Sequence, residues 1–101
     1  MNVTRIVILS ASLLASVAPA SAAGVADAPA GAASCSGCHP ATSRVDTTVP
    51  RLVGRNPDEI VTAMHAFKSG ERPATVMDRI AKGFSDDEVK AIAAWYGAQK
   101  D

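Results

Sequence analysis

The sequence predicts a small all-α domain preceded by a removable export segment. Three observations carry that prediction: two stretches with apolar residues at three- and four-residue spacing, each opened by a capping residue; no alternating strand pattern or hairpin turn; and a change of composition near residue 23. The first helix is expected to start after Asn56, a favoured cap, with Pro57 at its first position and Glu59 three residues after the cap, as in a capping box. Ile60, Met64 and Phe67, with Val61 and Ala63 beside them, form its buried stripe, and Gly70 ends it. The last helix is expected after Ser85, with Glu88 completing a capping box and Val89, Ile92, Ala93 and Tyr96 on one face. Residues 40–54 and 71–84 read as loops, the second with one helical turn around 78–82. A further short helix is expected near Ala32.

Residues 1–23 carry a single charge, Arg5, ahead of an apolar run from Ile6 to Val17 and the small residues APASAA, the layout of a cleaved secretory signal. That run is about 12 residues, short of the ~20 that a membrane-spanning helix needs. The mature chain is therefore expected to be one domain over residues 24–101, periplasmic and without a membrane span. It holds 78 residues with 9 basic and 10 acidic side chains. This balance supplies no cationic field for nucleic acid or a membrane surface. A domain this small usually needs a disulfide, a metal or a cofactor beside its apolar core.

Residues 35–40 read CSGCHP. Cys35, Cys38 and His39 stand at i, i+3 and i+4, so one helical turn brings all three side chains to one face. Two thiols at this spacing can reach the two vinyl groups of a porphyrin, and the adjacent imidazole can then ligate the iron. A structural zinc site would need four nitrogen or sulfur ligands, and beyond these three the chain offers only His65. A thioredoxin-like dithiol belongs to a βαβ context absent here, and a disulfide across so few residues would constrain little of the unfolded chain. One covalent haem c, with His39 as iron ligand, is the expected cofactor.

A haem held by one histidine is either open to substrate or closed by a second side chain. Met64, His65 and Met77 are the candidates, since Met1 leaves with the signal segment. Met64 and His65 lie mid-helix, and Met64 continues the core stripe. Met77 lies in the second loop, where a thioether can reach iron without dismantling a helix. Histidine and methionine together raise the reduction potential and keep iron six-coordinate in both oxidation states, which suits electron exchange.

Taken in order, the CxxCH motif, the proline loop, the loop methionine and the final helix resemble class I cytochromes c. The resemblance implies a small all-α fold of about three helices wrapped around one covalent haem. VPRLVG (49–54) resembles the family's proline-leucine segment. By that resemblance, the Pro50 carbonyl accepts a hydrogen bond from the ligand histidine and Leu52 packs on the haem, while Thr75 stands where the family often bonds a propionate. The run AFKSGERPATVMDRIAKGFSDDEVKAIAAWY (66–96) resembles more specifically the cytochrome subunit of flavocytochrome c sulfide dehydrogenase. Pro40 follows the motif where the family usually places glycine.

The expected function is electron transport: a non-catalytic carrier accepting electrons from a flavoprotein sulfide or sulfur dehydrogenase, as its subunit or partner. The alternatives are a free soluble shuttle between other periplasmic dehydrogenases and a terminal oxidase, and an open-site haem enzyme or sensor.

Overall fold

A computed structural model describes residues 28–100; the expected signal segment lies outside the described residues. Four helices follow in order: α1 (Ala32–Cys35), α2 (Pro57–Ser69), α3 (Met77–Ala81) and α4 (Asp86–Ala98), with no strand among the described residues. None of them is long and apolar enough to cross a membrane.

α2 begins where expected, but its cap differs in detail. The Asn56 side chain accepts from the Asp58 amide at 2.9 Å, while the Glu59 amide bonds the Asn56 backbone carbonyl at 3.1 Å. The short carboxamide reaches the second helical amide, so the expected capping box with Glu59 does not form. Gly70 ends the helix in the left-handed region at φ 83°, where its missing side chain avoids a penalty. Of the apolar stripe, Ile60 is buried and Val61 and Met64 lie half-buried against the core.

At α4 the reciprocal box is present: the Glu88 amide donates to Ser85 Oγ at 3.3 Å and the Ser85 amide to Glu88 Oε2 at 2.8 Å. The Ser85 backbone N–H, and after it the hydroxyl, hold the Glu88 carboxyl below its usual range. Val89, Ile92, Ala93 and Tyr96 are all buried on the face the spacing marked. Burying each larger one contributes roughly 1.5–3 kcal/mol.

α2 packs against both α3 and α4. The core gathers Ala32, Ile60, Ile92, Ala93 and Tyr96, with Leu52, Val53, Met64, Phe84 and Trp95 half-buried around it. Among the described residues no large side chain is fully buried. A core so thin leaves apolar surface that a flat apolar cofactor can cover.

α4 closes on the start of α2 through a glycine. A Cβ at Gly97 would stand 2.7 Å from Pro57 Cγ and 2.8 Å from the Arg55 carbonyl oxygen. Gly97→Ala should therefore cost about 1–3 kcal/mol of stability despite alanine's better helix propensity. Urea unfolding followed by circular dichroism checks this, with the midpoint falling and the slope unchanged.

Candidate functional site

The cysteine-histidine segment is held as a helical turn that outlasts α1. The amides of Cys38 and His39 both donate to the Cys35 carbonyl, at 3.2 and 2.9 Å. Both bonds continue the i→i+3 and i→i+4 pattern, which places Cys35, Cys38 and His39 on one face of one turn. Cys35 is half-buried, Cys38 exposed and His39 half-buried, and both thiols are free.

His39 is oriented from across the fold. Its Nδ1 lies 2.5 Å from the Pro50 carbonyl oxygen. A carbonyl only accepts, so Nδ1 carries the proton and donates, which in a neutral imidazole leaves the Nε2 lone pair for a ligand. This is the outer bond that sets tautomer and ring orientation in metal-ligating histidines. The Pro50 segment is itself tied down: the Arg55 amide bonds the Leu52 carbonyl at 3.1 Å, and the Gly54 amide donates to the Tyr96 carbonyl at 3.0 Å. Gly54 adopts φ 72° to make that approach. Leu52 packs half-buried against the same core as Cys35.

Tyr96 joins both halves of the site. Its buried phenol donates to the Ala32 carbonyl at 2.6 Å, on the helix that carries Cys35. Burial, and secondarily the nearby Cys35 sulfur, push the phenol upward. Burial likewise pushes the Cys35 thiol up, partly countered by hydrogen bonds at Ser34 and its own backbone. Such a thiol stays protonated at neutral pH, unlike the low-pKa thiolate of a dithiol oxidoreductase. Among the described residues, no three His, Cys, Asp or Glu side chains converge to hold a metal ion. That donor set does not close a zinc site, while two thiols and an oriented imidazole on one turn fit covalent haem.

The other candidates separate. His65 pairs with Asp86, Nε2 to Oδ1 at 3.4 Å, and so is engaged at the start of α4. Met64 packs against the core. Met77 is half-buried at the first position of α3, correcting its reading as a loop residue. The one-turn helix arises because the Ile80 amide bonds the Val76 carbonyl at 3.1 Å, and the Gly83 amide then closes the turn on Ile80 at 3.0 Å. Thr75 is exposed just ahead of it. Neither residue belongs to the hydrogen-bonded group around His39. The sequence reading missed the Tyr96 phenol bond; a tyrosine on a buried helix face signals that a polar partner is needed, but not which one.

No family model matches the chain. It is 41% identical over 64 residues to "Cytochrome subunit of sulfide dehydrogenase" of Chlorobaculum tepidum, covering 63% of this chain and 58% of that one. It is 33% identical over 78 residues to "Cytochrome c4" of Pseudomonas aeruginosa, covering 73% of this chain and 39% of that one. It is 30% identical over 70 residues to "Cytochrome c-554(548)" of Halomonas halodenitrificans, covering 65% of this chain and 84% of that one. The chain thus spans less than two thirds of the first two relatives.

The buried phenol makes stability depend on alkaline pH. The phenol's folded value is raised, so its contribution is fully present below about 10, where a free tyrosine ionises, and is lost as pH rises through the higher folded value. Tyr96→Phe should lose about 1–2 kcal/mol near neutrality, because the phenol's bond to the Ala32 carbonyl is lost, and should flatten the alkaline decline. Urea midpoints measured from pH 7 to pH 11 for both proteins check this.

Proposed function

Since this chain belongs to the class I cytochrome c family, we propose that it is a periplasmic electron carrier with one covalent haem c, receiving electrons from a flavoprotein sulfide or sulfur dehydrogenase. The observation that carries this reading is the Cys35-Cys38-His39 turn with its imidazole held by the Pro50 carbonyl. Haem c, when bound, supplies a one-electron iron couple. Cys35 and Cys38 would hold it through thioethers, His39 Nε2 would ligate the iron, and Met77 sulfur would fill the sixth position. Leu52 would present apolar surface to the ring and Thr75 a hydroxyl to a propionate.

The choice of Met77 is supported by the company of its rivals, with His65 paired to Asp86 and Met64 half-buried against the core. A closed iron leaves no position for substrate, so catalysis belongs to the partner and this chain only accepts and passes on electrons. The likeness to a sulfide dehydrogenase's cytochrome subunit supports a flavoprotein as donor.

Visible and near-infrared spectra of the purified haem protein test the ligand set. The ferric protein should show the weak far-red methionine-iron band; Met77→Ala should abolish it, lower the reduction potential and admit carbon monoxide to the ferrous form. A band that survives in Met77→Ala would move the assignment to Met64. Reduction by sulfide in the presence of the flavoprotein tests the donor. A free monomer that this pair does not reduce would instead be a general shuttle serving other dehydrogenases and a terminal oxidase.

A further inference from the structure

We infer that Lys68 is the positioning residue of the Met77 segment, its ammonium fastening the connection between α3 and α4 to α2. The inference rests on the reading of Met77 as the sixth ligand. Lys68 Nζ donates to the Phe84 carbonyl at 2.6 Å from a partly buried position, across a sequence separation of 16. It also stands 3.5 Å from Asp86 Oδ1, the carboxylate that meets His65. The exposed ion pair adds little, but a charge-assisted bond to a partly buried backbone carbonyl is among the stronger single contacts available.

α3 has few supports of its own. It is five residues long, and its N-cap, Val76, supplies no side-chain hydrogen bond. A helix this short does not persist without tertiary contacts. Val76 and Ile80 are exposed at 48% and 38%, so only Ala81 of this helix is fully inside. One carboxylate oxygen of Asp78 is buried without a hydrogen-bond partner among the described residues, which further weakens the turn. α3 is therefore held from outside, by its packing on α2 and by residues 82–85, and Lys68 grips the latter at Phe84.

The grip extends to the haem-binding turn. A Cβ at Gly31 would stand 2.6 Å from Phe84 Cε1, so the Phe84 ring lies directly on the residue that caps α1, four residues before Cys35. Lys68 thus connects α2, the end of the Met77 segment and the start of the cysteine-histidine segment through one residue. Loosening that residue frees Met77 while the bond from His39 to Pro50 stays intact, so the two axial sides differ in how readily they open.

Hydrogen exchange on the full haem-loaded protein tests this, read at the amides of Ile80, Gly83 and Phe84, which bond Val76, Ile80 and Ala81. Lys68→Met keeps the apolar stem and removes the donor. It should speed exchange at these three amides about ten- to a hundredfold, the range a hydrogen bond to a charged group supports, and leave Val89 in α4 near its original rate. Lys68→Arg, which keeps a cationic donor, should retain most of the protection. In urea, Lys68→Met should lose the far-red methionine-iron band earlier, relative to its helical circular dichroism, than the unaltered protein does. Unmoved rates at the three amides, or an equal rise at Val89, would overturn the inference. Exchange does not depend on the ligand's identity, so a band that persists in Met77→Ala would sink the ligand reading separately.

Discussion

Everything around the cysteine-histidine turn hangs on Tyr96. A phenol buried to 5% exposure must find an acceptor, and the carbonyl it finds is Ala32, 64 residues away. The same residue's own carbonyl takes the Gly54 amide. One position on α4 thereby locates α1, which leads into the cysteine-histidine turn, and the loop whose Pro50 orients His39. Trp95 lies edge-on beside it at 4.8 Å between ring centroids, stiffening that end of the helix. If this residue were displaced, the cysteines and the imidazole's acceptor would lose their common reference.

The thin core follows from chain length. Residues 28–100, arranged as four helices with two of them only a turn or so long, cannot surround a large apolar interior. The buried set is accordingly rich in alanine, with Ala32, Ala81 and Ala93 fully enclosed and the bigger side chains buried but still touching solvent. Small residues let backbones approach closely, as Gly97 does against Pro57, and leave Leu52, Val53, Met64 and Phe84 with unfinished surfaces. In a cytochrome c the porphyrin completes such a core, so stability and function draw on the same group. The binding energy of the cofactor is then partly folding energy.

The two proposed axial sides are built differently. His39 belongs to a turn closed by two backbone bonds and is steered by a third bond from another segment. Met77 starts a five-residue helix whose anchorage comes from α2 and from the connection that follows it. An electron carrier benefits from ligands that hardly move between oxidation states. In the proposed site, local geometry would supply that constancy on the histidine side and tertiary contacts on the methionine side.

Features that depend on residues within one or two turns were legible in the chain alone. The Ser85-Glu88 box, the Asn56 and Gly70 ends of α2, the buried face of α4 and the shared face of Cys35, Cys38 and His39 all follow from spacing and capping chemistry. The Asn56 cap partner and the helical state of Met77 were not, because several local conformations satisfy those residues about equally well and packing on α2 and the core chooses among them. The sequence by itself determined which side chains could attach a porphyrin and which helices could form. Only the tertiary structure decided that Tyr96 bonds Ala32, that Lys68 grips Phe84 and that His65 turns to Asp86. Those pairings join distant parts of the chain, and no periodicity encodes them: closing the helices on one another forces the buried Tyr96 phenol to find an acceptor and brings the partly exposed Lys68 and the exposed His65 beside theirs.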